Sequence, residues 1–198
     1  MLDDDSLPQQ ALTQLFSKAR THNGWLAKEV PDGLLRQALE LALWGPTSAN
    51  CLPLRVVFLR TPEAKARLKD ALLPGNVEKT MAAPAVAILA YDLEFYQHLP
   101  RLYPATDARS WFAGNAVLIE RTAFRNATLQ AGYFLVALRA FGLDVGPMSG
   151  FDNAKVDAEF FPEGKVKSNF LMNIGYGDPS KLYPRGPRFG FDEIAQIL

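Results

Sequence analysis

The sequence predicts an α+β fold in a single domain that spans residues 1–198. Apolar residues recur at helical spacing in about six segments, and four or five shorter β-rich stretches lie between them. These segments do not follow the regular alternation of strand and helix that a doubly wound sheet requires. The length suits about one domain, and no internal repeat or low-complexity linker divides the chain.

The first half of the chain supplies four predicted helices and two predicted strands. Periodic apolar residues predict helices over residues 8–18, 31–45, 62–73 and 77–84. The second of these begins at Pro31 and ends at Gly45, which are residues typical of helix starts and stops. The β-rich stretch 54–60 predicts a strand, and the continuous apolar run 85–92 predicts a strand buried on both faces.

The second half is organised around a long predicted helix, residues 121–141, which Gly142 ends. Because the middle of this helix is apolar nearly all round, we expect it at the centre of the fold. The segment before it, residues 93–115, is aromatic and irregular. After it we predict a short strand with a loop at residues 143–152 and a helix at 153–161. A strand at 167–178 then runs into a glycine turn, and an extended tail at about 178–198 ends in a short helix.

The composition argues against several classes of function. The chain carries 21 basic and 21 acidic residues, and the basic ones are scattered, so a nucleic-acid surface or an anionic-membrane surface is not expected. Cys51 is the only cysteine, which excludes an internal disulfide and suggests a reducing compartment. The N-terminus lacks the apolar stretch of a secretory signal, and the longest apolar run is about half a membrane span. We therefore expect a cytoplasmic protein without a membrane segment.

Several catalytic motifs are missing from the sequence. It contains no glycine-rich dinucleotide fingerprint after a strand, no Walker loop and no nucleophile elbow. Its two histidines, His22 and His98, are far apart and have no cysteine partner, so no metal site is expected. Nucleophilic catalysis would need Cys51 together with one of these histidines, whereas a lone cysteine is usually a small buried hydrophobe.

Short polar clusters stand instead at the boundaries between predicted elements. They are Arg20 to Asn23, the loop Pro46 to Asn50, the pair Asn76 and Lys79, the glycine-flanked segment 146–152, and the tail residues Lys181, Arg185 and Arg188. Arginines from both ends of the chain suit a phosphate, and asparagines with backbone amides suit a planar heterocycle. Each cluster taken singly also has an ordinary explanation as a helix cap, a turn or a solvated surface. The residues alone suggest an α+β domain that binds a phosphorylated heterocycle.

Taken together and in order, these segments resemble the flavin-dependent nitroreductase family across nearly the whole chain. The matching segments are "ARTHNGW", "GPTSANCLP", "GNVEK", "FGLDVGPMSGFD", "NIGYGD" and "YPRGPR". Longer stretches, such as "TAFRNATLQAGY" and "SNFLMNIGYGDPSKLY", resemble one branch, the malonic semialdehyde reductases of pyrimidine degradation, also called NADH dehydrogenase/NAD(P)H nitroreductases. The set of segments is specific, although no single one is.

The resemblance implies a fold, an assembly and a cofactor. The expected fold is nitroreductase-like, with a mostly antiparallel mixed sheet flanked by helices. The expected assembly is an intertwined homodimer with FMN at the interface and both subunits contributing. The helix 121–141 would then be half of a dimer core; the alternative is the central helix of a monomer. NADH or NADPH would be the cosubstrate.

The resemblance also assigns cofactor-binding residues, position by position. Arg20, Thr21, His22 and Asn23 would meet the phosphate and ribityl chain, and Arg185 or Arg188 would complete the phosphate site. The loop residues Pro46, Thr47, Ser48 and Asn50 would line the pocket, Asn76 and Lys79 would meet the pyrimidine edge, and Pro147, Met148, Ser149 and Gly150 would lie near the N5 side. Two positions depart from the family pattern, because Asn23 and Gly24 stand where a basic residue is usual and Ser149 replaces a glutamate.

The activity implied is ping-pong hydride transfer through flavin N5, with Lys79 giving electrostatic support and no catalytic side chain. Residues 93–115 would form a substrate lid with Arg101, Arg109, Trp111 and Phe112 facing the substrate. One of the two arginines would bind the carboxylate of malonic semialdehyde, which is reduced to 3-hydroxypropionate. The alternatives are a broad nitro or quinone reductase and, from another class, a flavin-binding protein without turnover.

Overall fold

A four-stranded antiparallel sheet forms the centre of the molecule, and the computed structural model describes it within residues 6–198. Its strands are β1 (Leu54–Leu59), β2 (Ala85–Asp92), β3 (Asp144–Met148) and β4 (Val166–Gly175), in the spatial order β1-β2-β4-β3. All three pairings are antiparallel, and the parallel component is a single bridge between Thr21 and Val145. The predicted α+β class is confirmed. The first five residues, part of the predicted signal-free N-terminus, lie outside the described residues.

Eight helices surround the sheet in the described part of the chain. They are α1 (Gln9–Leu12), which continues as one π-helical turn over Thr13–Ser17, α2 (Asp32–Ala42), α3 (Pro62–Lys69), α4 (Pro74–Ala82), α5 (Leu99–Leu102), α6 (Ala116–Ala140), α7 (Asn153–Phe160) and α8 (Phe191–Ile194). Short 3-10 turns lie at Ser48–Asn50, Phe95–His98, Ala108–Trp111 and Pro179–Lys181. No helix within residues 6–198 is long and apolar enough to cross a membrane. The cytoplasmic location stays a prediction.

Strand β2 is buried along its whole length, as its continuous apolar sequence predicts. Ala87 and Leu89 on one face belong to the larger core cluster, and Val86 and Ile88 on the other face belong to the smaller cluster. Complete burial of side chains such as Ile88 and Leu89 stabilises the fold by about 1.5–3 kcal/mol each. The sheet therefore has a core on both faces, and α6 with α2 covers the larger one.

The long helix α6 begins five residues before the predicted start at residue 121, because Asn115 caps it. The Asn115 side chain accepts a hydrogen bond from the backbone amide of Leu118. On the buried face Ala123, Ala127 and Ala131 allow the helix to lie close to the sheet. Apolar side chains along the two margins of this buried face stay exposed, namely Val117, Phe124, Leu129 and Tyr133. In one chain, α6 is therefore a half-covered helix.

Candidate functional site

The segment that carries Arg20 to Asn23 lies against the end of the sheet at β3. The backbone amide of His22 donates to the carbonyl of Val145 at 3.0 Å. Gly146 permits this approach, because a Cβ there would lie 2.4 Å from the His22 carbonyl oxygen. Glycine at this position thus allows the segment to join the sheet edge and places Arg20 and Asn23 beside it.

The His22 side chain points into the protein. It is buried, and its Nε2 lies 3.4 Å from Oδ1 of Asp144. The ring also packs on Gly177, where a Cβ would lie 1.9 Å from Nδ1 of the histidine. The structure therefore places this ring as a connection between the segment and the ends of β3 and β4. The sequence predicts a contact of His22 with FMN. Because the side chain is turned into the protein, only the main chain of His22 can make that contact.

An arginine-rich cavity of about 220 Å³ lies between this segment and the C-terminal tail. Four arginines line it: Arg20, Arg139, Arg185 and Arg188. Within residues 6–198 none of the four has a carboxylate within 4.0 Å. Such a concentration of uncompensated forked donors suits a multiply charged anion.

Backbone carbonyls hold these arginines and fasten the tail. Nη2 of Arg185 donates to the carbonyls of Ser17 at 2.8 Å and Ala19 at 3.0 Å. Arg20 donates in return to the carbonyl of Tyr183. Within residues 6–198, Nη1 of Arg188 donates only to the carbonyls of its neighbours Gly186 and Pro187. Hydrogen bonds of Arg185 and Arg20 therefore hold the tail over the cavity, whereas the hydrogen bonds of Arg188 in the described residues are local.

Sequence reasoning missed Arg139, which comes from the last turn of α6. Burial lowers the pKa of its guanidinium, Asp144 opposes that shift, and the charge of Arg185 adds to it. Nη1 of Arg139 donates to the carbonyl of Leu15 at 3.2 Å. The only signal in the sequence was a basic residue at a helix C-terminus, which is common for reasons of helix electrostatics alone.

A second cavity, of about 430 Å³, adjoins the first and shares Asn23 and Tyr183 with it. Lys79 lines this cavity, and its Nζ donates to Oδ1 of Asn23 at 3.2 Å. Partial burial lowers the pKa of the Lys79 ammonium. Trp25 fixes the backbone of this residue by donating from Nε1 to the Lys79 carbonyl at 3.0 Å. The two cavities thus form one trough, with arginines in one part and Lys79 in the other.

Helix α4 brings Asn76 and Lys79 to this region and contacts the loop after β3. Nδ2 of Asn76 donates to the carbonyl of Gly150 at 2.7 Å. Gly150 is needed there, because a Cβ would lie 2.4 Å from that same nitrogen. Most of the predicted cofactor residues therefore lie in one region, around the trough, α4 and the loop after β3. They are Arg20, Thr21, Asn23, Asn76, Lys79, Pro147, Met148, Ser149, Gly150, Arg185 and Arg188.

The loop Pro46 to Asn50 belongs to a different group. The Ser48 amide donates to Oδ1 of Asn126 on α6 at 2.8 Å, and Nδ2 of Asn50 donates to the carbonyl of Leu102 in α5 at 2.8 Å. The Thr47 hydroxyl accepts from the amide of Leu52 at 3.2 Å. None of the loop residues lines either cavity of the trough. Within one chain, the predicted site residues thus form two separate groups.

The predicted lid, residues 93–115, accompanies the second group. Phe112 is buried and packs edge-to-face on Phe95, with ring centroids 5.0 Å apart, so it anchors the lid in the core. Trp111 is 51% exposed and lies against Tyr103. Arg101 and Arg109 are exposed, and neither has an ion-pair partner within residues 6–198. Of the four predicted substrate residues, Phe112 is therefore the one turned inward.

Cys51 has the environment of a core residue. Its side chain is completely buried, and burial raises the pKa of its thiol to about 11, although a hydrogen bond with Thr47 opposes the shift. The thiol is therefore protonated at neutral pH, which argues against a thiolate nucleophile. No group of three or more potential metal ligands (His, Cys, Asp or Glu) occurs among residues 6–198.

Comparison with known proteins gives a consistent result. The model of the Nitroreductase family matches residues 17–176. A Burkholderia lata protein is 60% identical over 192 residues, which cover 97% of this chain and 98% of that protein. Its name, NADH dehydrogenase/NAD(P)H nitroreductase, is itself inferred. A nitroreductase family protein of Streptococcus pneumoniae superposes with a TM-score of 0.83 at 24% identity, covering 94% of this chain and 100% of that one. A nitroreductase-type protein of Exiguobacterium sibiricum, solved with FMN, gives 0.84 at 18% identity, with 98% and 99% covered.

Proposed function

Because this chain belongs to the nitroreductase family, we propose that it is an FMN-dependent NAD(P)H oxidoreductase that reduces malonic semialdehyde to 3-hydroxypropionate. The observation that carries the proposal is the trough, in which arginines without carboxylate partners in the described residues lie beside the half-buried Lys79 and Asn23. When bound, FMN would supply the hydride transfer from NADH or NADPH to the second substrate, through its N5.

The residues of the trough fit the chemistry of FMN. The arginine-rich cavity supplies forked donors for a phosphate dianion, and Arg188, whose contacts are local, is the tail arginine free to turn toward it. Arg185 instead keeps the tail in place through the carbonyls of Ser17 and Ala19. Asn76 and Lys79 would hold the pyrimidine edge, where the lysine charge stabilises the negative charge that accompanies reduction.

The active assembly is an intertwined homodimer. The two groups of site residues lie apart on one chain, so a second copy is needed to bring a loop 46–50 to each trough. Two sets of exposed apolar side chains support this assembly: those of α6, and those of the tail, namely Phe189, Phe191, Ile194, Ile197 and Leu198. A groove of about 470 Å³ between α2 and the free edge of β1 is suitable for the partner's tail.

Ending the chain after Arg188 is expected to weaken the dimer, because it removes the exposed apolar residues while keeping Arg185 and Arg188. Burial of a Phe or Ile side chain is worth about 1.5–3 kcal/mol, so the loss of several should raise the dimer dissociation constant by a factor of about 100 or more. Light scattering over a dilution series measures this. A truncated chain that stays dimeric over the same concentrations as the full chain would exclude the tail from the interface.

The acceptor is assigned from its carboxylate. Malonic semialdehyde is a small anion, and the lid exposes Arg101 and Arg109 without ion-pair partners in the described residues. Arg101 also lines a largely apolar cavity together with Arg55 and His98. The runner-up is a broad nitro or quinone reductase, which is favoured by the aromatic surface of Trp111 and Tyr103. Neutral acceptors would stack there and need no arginine.

Changing Arg101 or Arg109 to Ala separates these two readings. Loss of a charge-assisted hydrogen bond costs about 1.5–3 kcal/mol, so the KM for malonic semialdehyde should rise by a factor of about 10–100 for the arginine that binds it. The KM for a neutral quinone should not change in the same variant. If both variants keep the KM of the unmodified protein for the semialdehyde, the carboxylate assignment fails.

The visible absorbance of the flavin tests the proposed function itself. Purified protein reconstituted with FMN should lose its visible flavin absorbance when NADH or NADPH is added without oxygen, and malonic semialdehyde should restore it. Recovery with nitro or quinone compounds but not with the semialdehyde would favour the broad reductase. Protein that binds FMN and is never bleached would be the flavin-binding protein without turnover.

A further inference from the structure

The loop between α2 and β1, residues 46–53, contains three non-glycine residues in the left-handed region of backbone space. Their φ angles are 49° at Ala49, 50° at Asn50 and 39° at Leu52. Asparagine tolerates this conformation, but alanine and leucine do so only at a cost in free energy. Strained backbone of this kind persists only where surrounding contacts hold it, and it is concentrated at functional sites.

Two buried amide side chains of α6 hold the ends of this loop. Oδ1 of Asn126 accepts from the Ser48 amide at 2.8 Å, and Oε1 of Gln130 accepts from the Leu54 amide at 3.0 Å. The two residues are four apart and so lie on one face of the helix. Both are almost fully buried, with exposures of 2% and 1%. The contacts thus bracket the strained residues on both sides.

The amides are costly in this position, which indicates that their acceptor oxygens are needed. They lie among core residues of α6, and Nε2 of Gln130 is buried without a hydrogen-bond partner within residues 6–198. An apolar side chain would fill the same space without that unpaired donor. Asn126 is better satisfied, because its Nδ2 donates to the Thr122 carbonyl at 2.9 Å.

We propose that Asn126 and Gln130 are positioning residues that fix loop 46–53 in the shape in which Thr47 and Ser48 meet the flavin. They do not touch the cofactor. The fixed loop also sets the lid, because Asn50 donates to the carbonyl of Leu102 in α5. This inference rests on the proposed function, since it assumes that the loop faces FMN.

The test replaces Asn126 by Leu, which removes the acceptor at similar size, and by Asp, which keeps an acceptor for the Ser48 amide. Asn126→Leu is expected to raise the Kd for FMN by about tenfold, as one buried amide left unpaired would do. Asn126→Asp should recover part of the affinity, because it keeps the acceptor for the Ser48 amide but, when ionised, has no donor for the Thr122 carbonyl. Flavin fluorescence quenching measures the Kd. Thr122→Val is the matched control, because Thr122 is buried on the same helix one turn earlier and its hydroxyl makes no hydrogen bond with the loop in the described part of the chain.

The outcomes are distinguishable. Unchanged FMN binding in Asn126→Leu, or an equal loss in Thr122→Val, would overturn the positioning role and leave the proposed function standing. Failure of the unmodified protein to bind FMN would remove both. If Asn126→Leu does not fold, Gln130→Met carries the same expectation, because it removes only the acceptor for the Leu54 amide and the unpaired Nε2 donor.

Discussion

Replacing Arg20 with Met is expected to weaken FMN binding by a factor of about 10–100, with little change in riboflavin binding. Arg20 lines the cavity in which no guanidinium has a carboxylate partner within the described residues, so its charge is available to a phosphate. A charge-assisted hydrogen bond of this kind is worth about 1.5–3 kcal/mol. Riboflavin lacks the phosphate and therefore reports only on the ring and ribityl contacts.

Fluorescence titration with both flavins gives the two dissociation constants, and their ratio is the decisive quantity. Arg67→Met is the control, because Arg67 lies on α3, pairs with Glu159 and lines neither cavity of the trough. The loss in Arg20→Met should diminish as salt is added, since Arg20 is partly exposed and ionic strength screens its charge. Parallel loss of FMN and riboflavin affinity would instead mean that Arg20 acts by fastening the tail at Tyr183.

The elements that sequence predicts well are those with a strong local pattern. The apolar run of β2 and the periodicity of α2 and α6 reflect burial, which each segment encodes in its own residues. The start of α6 differed because one side chain, Asn115, adds a first turn that the apolar pattern does not require. Local signals of this kind specify an element more securely than its ends.

The candidate site was only partly predictable, because several of its contacts join residues far apart in sequence. The inward turn of His22 depends on Gly177, and the place of Arg139 depends on a tail that begins about 40 residues later. The polar clusters at 20–23, 76–79 and 146–150 were visible as short motifs, and the structure brings them together. Asn126 and Gln130 gave no such signal, since polar residues within a helix are unremarkable until their partners are known.

Replacing Lys79 with Met is expected to lower the rate of flavin reduction by NADH or NADPH by a factor of about 100, with a smaller loss of FMN affinity. The ammonium group is half-buried and its Nζ donates to Oδ1 of Asn23, so it forms a fixed charge at the edge of the trough. The negative charge that accompanies reduction is stabilised only once it develops, so the rate should fall more than the affinity. Stopped-flow absorbance measures the rate, and Lys69→Met on the exposed face of α3 is the control.

The pH dependence of the same step follows from the direction of the pKa shift. Burial lowers the pKa of Lys79, so its positive charge is present at low pH and is lost as pH rises through a value below the ordinary 10.5. The reduction rate should therefore fall on the alkaline side in the unmodified protein. Lys79→Arg keeps its charge to higher pH and should shift this loss upward, whereas Lys79→Met should be slow at every pH. An alkaline loss of the same size and position in Lys79→Met would show that another group titrates, and the pH dependence would then not be that of Lys79.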